Sequence, residues 1–219
     1  MFECAARKFF DWTSSVGGGS PTIKGKLHGM GCVLDKHHTI TAYHCWSSIA
    51  SRYKWPVVFR SDGIFRCEVV FKSIDNDIAI LRSKEPIEDR VLMEFNEYPI
   101  ISEKPFFLGS TLGFMSSLTL YESVNKKNLH THFAMGVVSM LLPSKNSKAT
   151  NYVMSSTVIQ KGFSGSAVFR PDGGIVGIII ETLSFRADIF NTEAPLYVLP
   201  VVSSIWPLID DIKTILIKT

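Results

Sequence analysis

The sequence predicts an all-β protein, a sandwich or barrel, whose two halves of six or so strands would suit two packed six-stranded antiparallel β-barrels, with a short N-terminal helix and a C-terminal helix. Three observations carry this. Apolar runs rich in Val, Ile and Phe are strand-length and recur at short intervals, with no long helical period between them. Two turn signals are sharp: Ser61-Asp62-Gly63, and Pro171-Asp172-Gly173-Gly174 between two apolar runs. A break through Asn96, Glu97, Pro99 and Lys104 falls near mid-chain, and halves of six or so strands on either side would suit two packed barrels.

The elements follow in order. Up to Trp12, the residues Phe2, Ala6, Phe9 and Phe10 share a face, a short amphipathic helical pattern. Gly17-Gly18-Gly19-Ser20 reads as a flexible linker, and it lacks the Gly-Lys-Ser/Thr ending of a phosphate loop. Strands are expected at 32–34, 39–42, 57–60, 67–71 and 78–81, then at 106–112, 133–142, 152–159, 167–169, 175–182 and 196–201. Ser203-Ser204 can cap a terminal helix in which Ile205, Leu208, Ile209, Ile212, Ile215 and Leu216 recur at helical spacing, with Pro207 in its first turn. The resulting division is a helical segment and linker over 1–20, a first barrel over 21–98, and a second barrel with the terminal helix over 99–219.

A chain of 219 residues, 46% hydrophobic and 20% charged, has the profile of a soluble globular protein of one domain or two small packed ones. The net charge of +3 is mild, and Lys126-Lys127, Lys145 and Lys148 sit among Asn and Ser as solvated loops, so no nucleic-acid partner is expected. Charges at Glu3, Arg7, Lys8 and Asp11 interrupt any secretory signal. No uncharged apolar run approaches the roughly 20 residues that cross a bilayer. The expectation is a cytoplasmic protein with no membrane partner.

Cys4, Cys32, Cys45 and Cys67 lack paired C-x-x-C spacing, and His37-His38 falls where a hairpin turn belongs. No metal and no other cofactor is expected.

Three short segments carry chemistry. Thr41-Ala42-Tyr43-His44-Cys45 ends an apolar strand. Asp75-Asn76-Asp77-Ile78-Ala79-Ile80-Leu81 sets an aspartate at the opening of another. Gly162-Phe163-Ser164-Gly165-Ser166-Ala167-Val168 places a serine between glycines before a third. Each is modest alone; together they give the order His, Asp, Ser, and not the Ser-Asp-His order of α/β-hydrolases.

With these flanks the chain resembles the trypsin/chymotrypsin superfamily of serine proteases, most closely in style the compact bacterial HtrA-type protease domain. Gly136-Val137-Val138-Ser139, Ile175-Val176-Gly177-Ile178 and Tyr197-Val198-Leu199-Pro200 are similar to strand motifs of such domains. The resemblance implies a chymotrypsin-like fold and a serine endopeptidase. His44 would be the general base and acid, Asp77 its orienting partner and Ser164 the nucleophile, with the oxyanion held by the backbone N–H groups of Gly162 and Ser164. Losing one such donor costs about 3 kcal/mol. Asp75, two residues earlier, reads as a loop residue, because Asp77 directly precedes the apolar run.

The departures are informative. Phe163 stands where secreted trypsins carry the aspartate that captures a new N-terminus, so that activation route is not expected. Cys45 matches one half of the family's disulfide beside the histidine, but the other half falls on Gly29, and Cys32 should face away. The thiols are therefore expected unpaired, as in a reducing compartment. Ser166 replaces a glycine. The S1 walls would come from Val158, from Ile180, Glu181 and Thr182, and from around Pro195. Val158 at the base argues against an Arg or Lys preference and for a small or medium apolar P1. No PDZ module is expected after the terminal helix.

The partner expected is a protein or peptide substrate, with an activating or targeting protein conceivable. Two alternatives accompany the endopeptidase: a binding or regulatory module (or latent protease) on the same fold, and a viral processing protease, some of which share Gly-x-Ser-Gly-Ser.

Overall fold

The computed structural model describes residues 2, 3, 5, 12–20, 23–60, 63–87, 98–118, 130–143, 150–156, 159, 162–186 and 196–217. Strand β1 (Thr13–Ser20) pairs with β2 (Ile23–Val33) and with β4 (Trp55–Arg60). β2 continues to β3 (His38–Ala42), which pairs with β6 (Ile78–Ser83). β5 (Gly63–Ser73) lies between β6 and β4 and closes the barrel in the order β1-β2-β3-β6-β5-β4.

The second half forms another ring. β8 (Thr111–Leu118), β9 (His130–Pro143), β10 (Thr150–Ser156), β13 (Leu196–Ser204), β12 (Gly174–Arg186) and β11 (Ala167–Phe169) pair in that order. β11 returns to β8, and β7 (Ile100–Ile101) adds to β12 in parallel. Full closure leaves few unpaired strand edges. The expected pair of six-stranded antiparallel barrels is what the chain forms.

The strands hold because their apolar residues point inward. Val16, Cys32, Ile40, Val58 and Ile80 are buried in a cluster that continues to Phe169 and Ile178 of the second barrel. Phe106, Leu112, Phe114, Met154, Phe163 and Val168 form a second buried cluster. The Pro171 turn behaves as read: Gly173 takes φ +85°, and Asp172 Oδ1 accepts the Gly174 N–H at 3.1 Å between β11 and β12. Ser61 and Asp62 lie outside the described residues, but Arg60 pairs with Gly63 across that connection.

Several expectations need correction. Residues 17–20 are not a linker; they are the end of β1, paired with both neighbours. The glycines are there for space: a Cβ on Gly18 would meet the Tyr53 ring at 2.7 Å, and one on Gly19 the Val57 side chain at 2.8 Å. The strand expected over 106–112 starts only at Thr111. Before it, Phe107 and Ser110 close a turn through Gly109 at φ +84°. Helix is not confined to the ends, because a single turn, α1 (His44–Ser47), follows β3. Ser203 and Ser204 finish β13 rather than capping the last helix directly. Ser204 Oγ accepts the Trp206 N–H at 3.3 Å, a 3-10 turn (Trp206–Leu208) with Pro207 follows, and α2 (Ile209–Ile217) comes after it. Ile205 and Ile212 are fully buried, so the packing role of this helix holds. At the N-terminus Phe2, Glu3, Ala5 and Trp12 are helical, while Ala6, Phe9 and Phe10 lie outside the described residues.

Candidate active site

The first barrel supplies two of the three motif residues. β3 ends at Ala42 and the chain turns through Tyr43 into α1, which opens with His44. β5 and β6 are joined by a four-residue hairpin loop, because Ser73 pairs with Ile78. Asp77 is the last residue of that loop and takes φ +51°, alone among the described non-glycine residues in the left-handed region. Asp and Asn enter that region more readily than other side chains, though still at a cost of about 1 kcal/mol.

That conformation turns the carboxylate back onto α1. Asp77 Oδ1 accepts the backbone N–H of His44 at 2.9 Å, and Oδ2 receives His44 Nδ1 at 2.5 Å. The Asp77 carbonyl accepts the Tyr43 N–H at 3.0 Å. The imidazole is thus held at one ring nitrogen with Nε2 turned away from the aspartate. Both side chains keep access to water, at 41% and 26% exposure. The Asp77 hydrogen bond first, and the Cys45 thiol second, push the His44 imidazole up to about 10 against the desolvation that lowers it. Asp75 is exposed in the loop, as expected.

Ser164 comes from the second barrel, just before β11. Phe163 anchors its loop: the ring is buried and meets Phe114 edge-on at 6.2 Å. Gly162 and Gly165 take φ of +102° and +91°, values that side-chain-bearing residues rarely adopt. The Gly165 N–H goes to Ile179 O and the Ser166 N–H to Phe163 O. Among the described residues no partner takes the N–H of Gly162 or of Ser164.

The two barrels meet at this loop. Ser164 O accepts the Met30 N–H at 2.7 Å and the Cys45 S–H at 3.4 Å, and Thr41 Oγ1 donates to Met30 O at 2.5 Å. Cys45 Sγ also lies 3.9 Å from His44 Nε2. The serine hydroxyl donates to Ile180 O at 3.3 Å. His44 and Asp77 are therefore in direct contact. Ser164 is at the same seam, with its hydroxyl turned to β12 and its carbonyl fixed to the histidine barrel.

Cys32, Cys45 and Cys67 are free and buried, and a Cβ on Gly29 would fall on Cys45 Sγ. Burial in apolar surroundings pushes the Cys32 and Cys67 thiols up, Cys67 to about 12, so neither is a reactive thiolate. His37 lies in the turn and His38 opens β3: Asp35 Oδ1 accepts both their N–H groups, and the His38 ring bonds the same carboxylate. Of the S1 candidates, Ile180 is buried on β12 and Glu181 and Thr182 are exposed beside it; Val158 and Pro195 lie outside the described residues.

Sequence reasoning missed the loop that poses Asp77 and the part played by Met30, Thr41 and Cys45. The one signal available was the alignment of Gly29 with Cys45, which already put those two positions face to face.

A family model described as the trypsin-like peptidase domain matches residues 29–178. Among solved structures, the active form of the Rv3671c protease from M. tuberculosis superposes with a TM-score of 0.58 at 16% identity, over 92% of this chain and 78% of that one. The MamO protease domain from Magnetospirillum magneticum gives 0.58 at 14% identity, over 93% of this chain and 97% of that one. A serine endoprotease from Yersinia pestis gives 0.57 at 19% identity, over 84% of this chain and 58% of that one. No curated protein sequence matches. Among the described residues no helix is long and apolar enough to cross a membrane.

Proposed function

This chain belongs to the trypsin-like peptidase domain family, and we propose that it is a serine endopeptidase working through Ser164, His44 and Asp77. The observation that carries the reading is the double contact of Asp77 with His44, on the ring and on the backbone, at the seam where Ser164 is tied to the first barrel. A serine hydroxyl is a weak nucleophile at neutral pH, so His44 Nε2 takes its proton as Ser164 Oγ attacks the scissile carbonyl. Asp77 stays ionised, fixes the tautomer with the proton on Nδ1, and stabilises the imidazolium. The imidazolium then protonates the leaving amine, and water repeats the sequence on the acyl-enzyme.

The oxyanion would lie against the N–H groups of Gly162 and Ser164. Ile180, Glu181 and Thr182 are the proposed flank of the P1 side chain, with Val158 and Pro195 assigned from sequence and a small or medium apolar P1. The substrate class is a protein or peptide. The free state of Cys32, Cys45 and Cys67 supports a reducing compartment such as the cytoplasm.

One arrangement favours a second reading, a latent enzyme or binding module that waits for a partner. The Ser164 hydroxyl is on Ile180 O, and Cys45 Sγ is the group beside His44 Nε2. Catalysis requires the Ser164 hydroxyl to leave Ile180 O for the imidazole. Catalytic hydrogen bonds are often formed only when substrate is bound, so the endopeptidase reading stands first. Digestion of a proteome-derived peptide library tests it: wild type should generate new termini with an apolar P1, and Ser164→Ala should generate none. Full hydrolysis by Ser164→Ala would overturn the assignment.

A further inference from the structure

The hairpin loop that carries Asp77 is closed by a side-chain pair that no catalytic step uses. Ser73 is the last residue of β5 and Asn76 directly precedes Asp77. The Asn76 amide Nδ2 donates to Ser73 Oγ at 2.7 Å, and the Asp77 N–H donates to Ile74 O at 3.1 Å, so the loop is pinned once by backbone and once by side chains. Asn76 is buried, in a loop whose Ile74 and Asp75 are exposed, and its Oδ1 has no hydrogen-bond partner among the described residues. Burying an amide in a surface hairpin with one end unsatisfied is unfavourable for stability, so stability alone is a poor reason for an asparagine there.

Its position supplies a better one. Asp77 is in the left-handed region, and in that pose its two oxygens reach the His44 N–H and Nδ1 together. An unpinned loop would let Asp77 relax toward extended backbone and swing the carboxylate off the imidazole. We propose that Ser73 and Asn76 are positioning residues, a side-chain latch that holds Asp77 in its left-handed conformation and through it sets the orientation of His44. The inference rests on the endopeptidase reading for its consequence in rate, but not for its consequence in the ionisation of His44.

Among the described residues, the titratable groups that face His44 are Asp77 from the hairpin and Cys45 from its own helix. A latch acting through Asp77 must therefore show in the imidazole titration. The experiment follows the His44 ring by NMR in wild type, Asn76→Ala, Ser73→Ala and Ser73→Thr, with His44→Gln to assign the signal. In parallel, the rate of fluorophosphonate labelling is measured on each. The His44 inflection should fall toward the ordinary value of about 6.5 in Asn76→Ala and in Ser73→Ala. It should stay at the wild-type position in Ser73→Thr, which keeps the hydroxyl. Labelling should slow about tenfold in the two alanine variants, and the double variant should be no slower than either one, as residues acting as a unit are not additive.

An unmoved inflection in folded Asn76→Ala and Ser73→Ala overturns the latch, even if both melt earlier. If Asn76→Ala does not fold, Ser73→Ala decides alone. A wild type that takes no label while the inflection moves sinks the protease reading and leaves the latch in place; a wild type that labels while the inflection stays fixed does the reverse.

Discussion

Substituting Gly29 by alanine is the perturbation that reaches both halves of the site at once. A Cβ at this position would fall on Cys45 Sγ and lie 2.6 Å from Ser164 O. A carbon keeps about 3.3 Å from a carbonyl oxygen even in close C–H···O contacts. The Ser164 carbonyl, or β2 itself, must therefore retreat by roughly 0.7 Å, and a misplacement of about 1 Å costs on the order of 100-fold in rate. The retreat acts against the 2.7 Å hydrogen bond from Met30 N–H to Ser164 O. Gly29→Ala should then slow labelling of Ser164 by about 10- to 100-fold, or roughly 1.4–2.7 kcal/mol of activation free energy. The assay is the second-order rate constant with a fluorophosphonate, beside circular dichroism to establish folding. Adding Cys45→Ala removes the sulfur clash but not the carbonyl clash, so the double variant should recover stability more than rate. A folded Gly29→Ala that reacts within about twofold of wild type would refute the claim that the nucleophile is positioned from the first barrel.

The other consequences are more direct. Because the folded His44 is raised, with Asp77 the main cause, the stability its pairing contributes is fully present below the unfolded value and is lost as pH rises through about 10. Catalysis runs the other way, since the base must be neutral: labelling should climb with pH above 7, with its inflection above the ordinary histidine value. An inflection at or below that value would contradict the Asp77 contact. Phe163→Ala should cost about 3–5 kcal/mol in urea unfolding, because its ring fills the second barrel's core, and a cost under about 1 kcal/mol would show that the ring is not an anchor. Cys32, Cys45 and Cys67 should resist maleimide in the native state and react once urea unfolds the chain; rapid native labelling at any of them would contradict their burial.

The parts of this protein that could be read from sequence are the parts whose signal is local. His44, Asp77 and Ser164 each sit beside an apolar strand, and the flanks Ala42, Ile78 and Ala167 begin or end β-structure where the pattern places them. Turn chemistry was equally legible at Pro171–Gly174, where Gly173 needs positive φ. β1 was not, because Gly17, Gly18 and Gly19 look like a linker until Tyr53 and Trp55 are seen packed over them. Strand-forming residues are recognised by the side chains they present, and a strand chosen for close approach presents none. The pose of Asp77 was invisible for a related reason. It depends on Ser73 pairing with Ile78, a matter of register, and on Asn76 reaching back three residues. The Cys45 contact to Ser164 O joins residues 119 apart in sequence, and only tertiary structure brings them together.

The central claim is that Ser164, activated by His44, is the nucleophile. The measurement that tests it most directly is intact-mass analysis of wild type, Ser164→Ala and His44→Ala after exposure to a fluorophosphonate, followed by peptide mapping. Wild type should carry a single adduct, mapped to Ser164, with none on Ser164→Ala and a rate at least about 1,000-fold lower on His44→Ala. An adduct at another residue, equal labelling of His44→Ala, or a folded wild type that takes no label from pH 7 to 10 would contradict it.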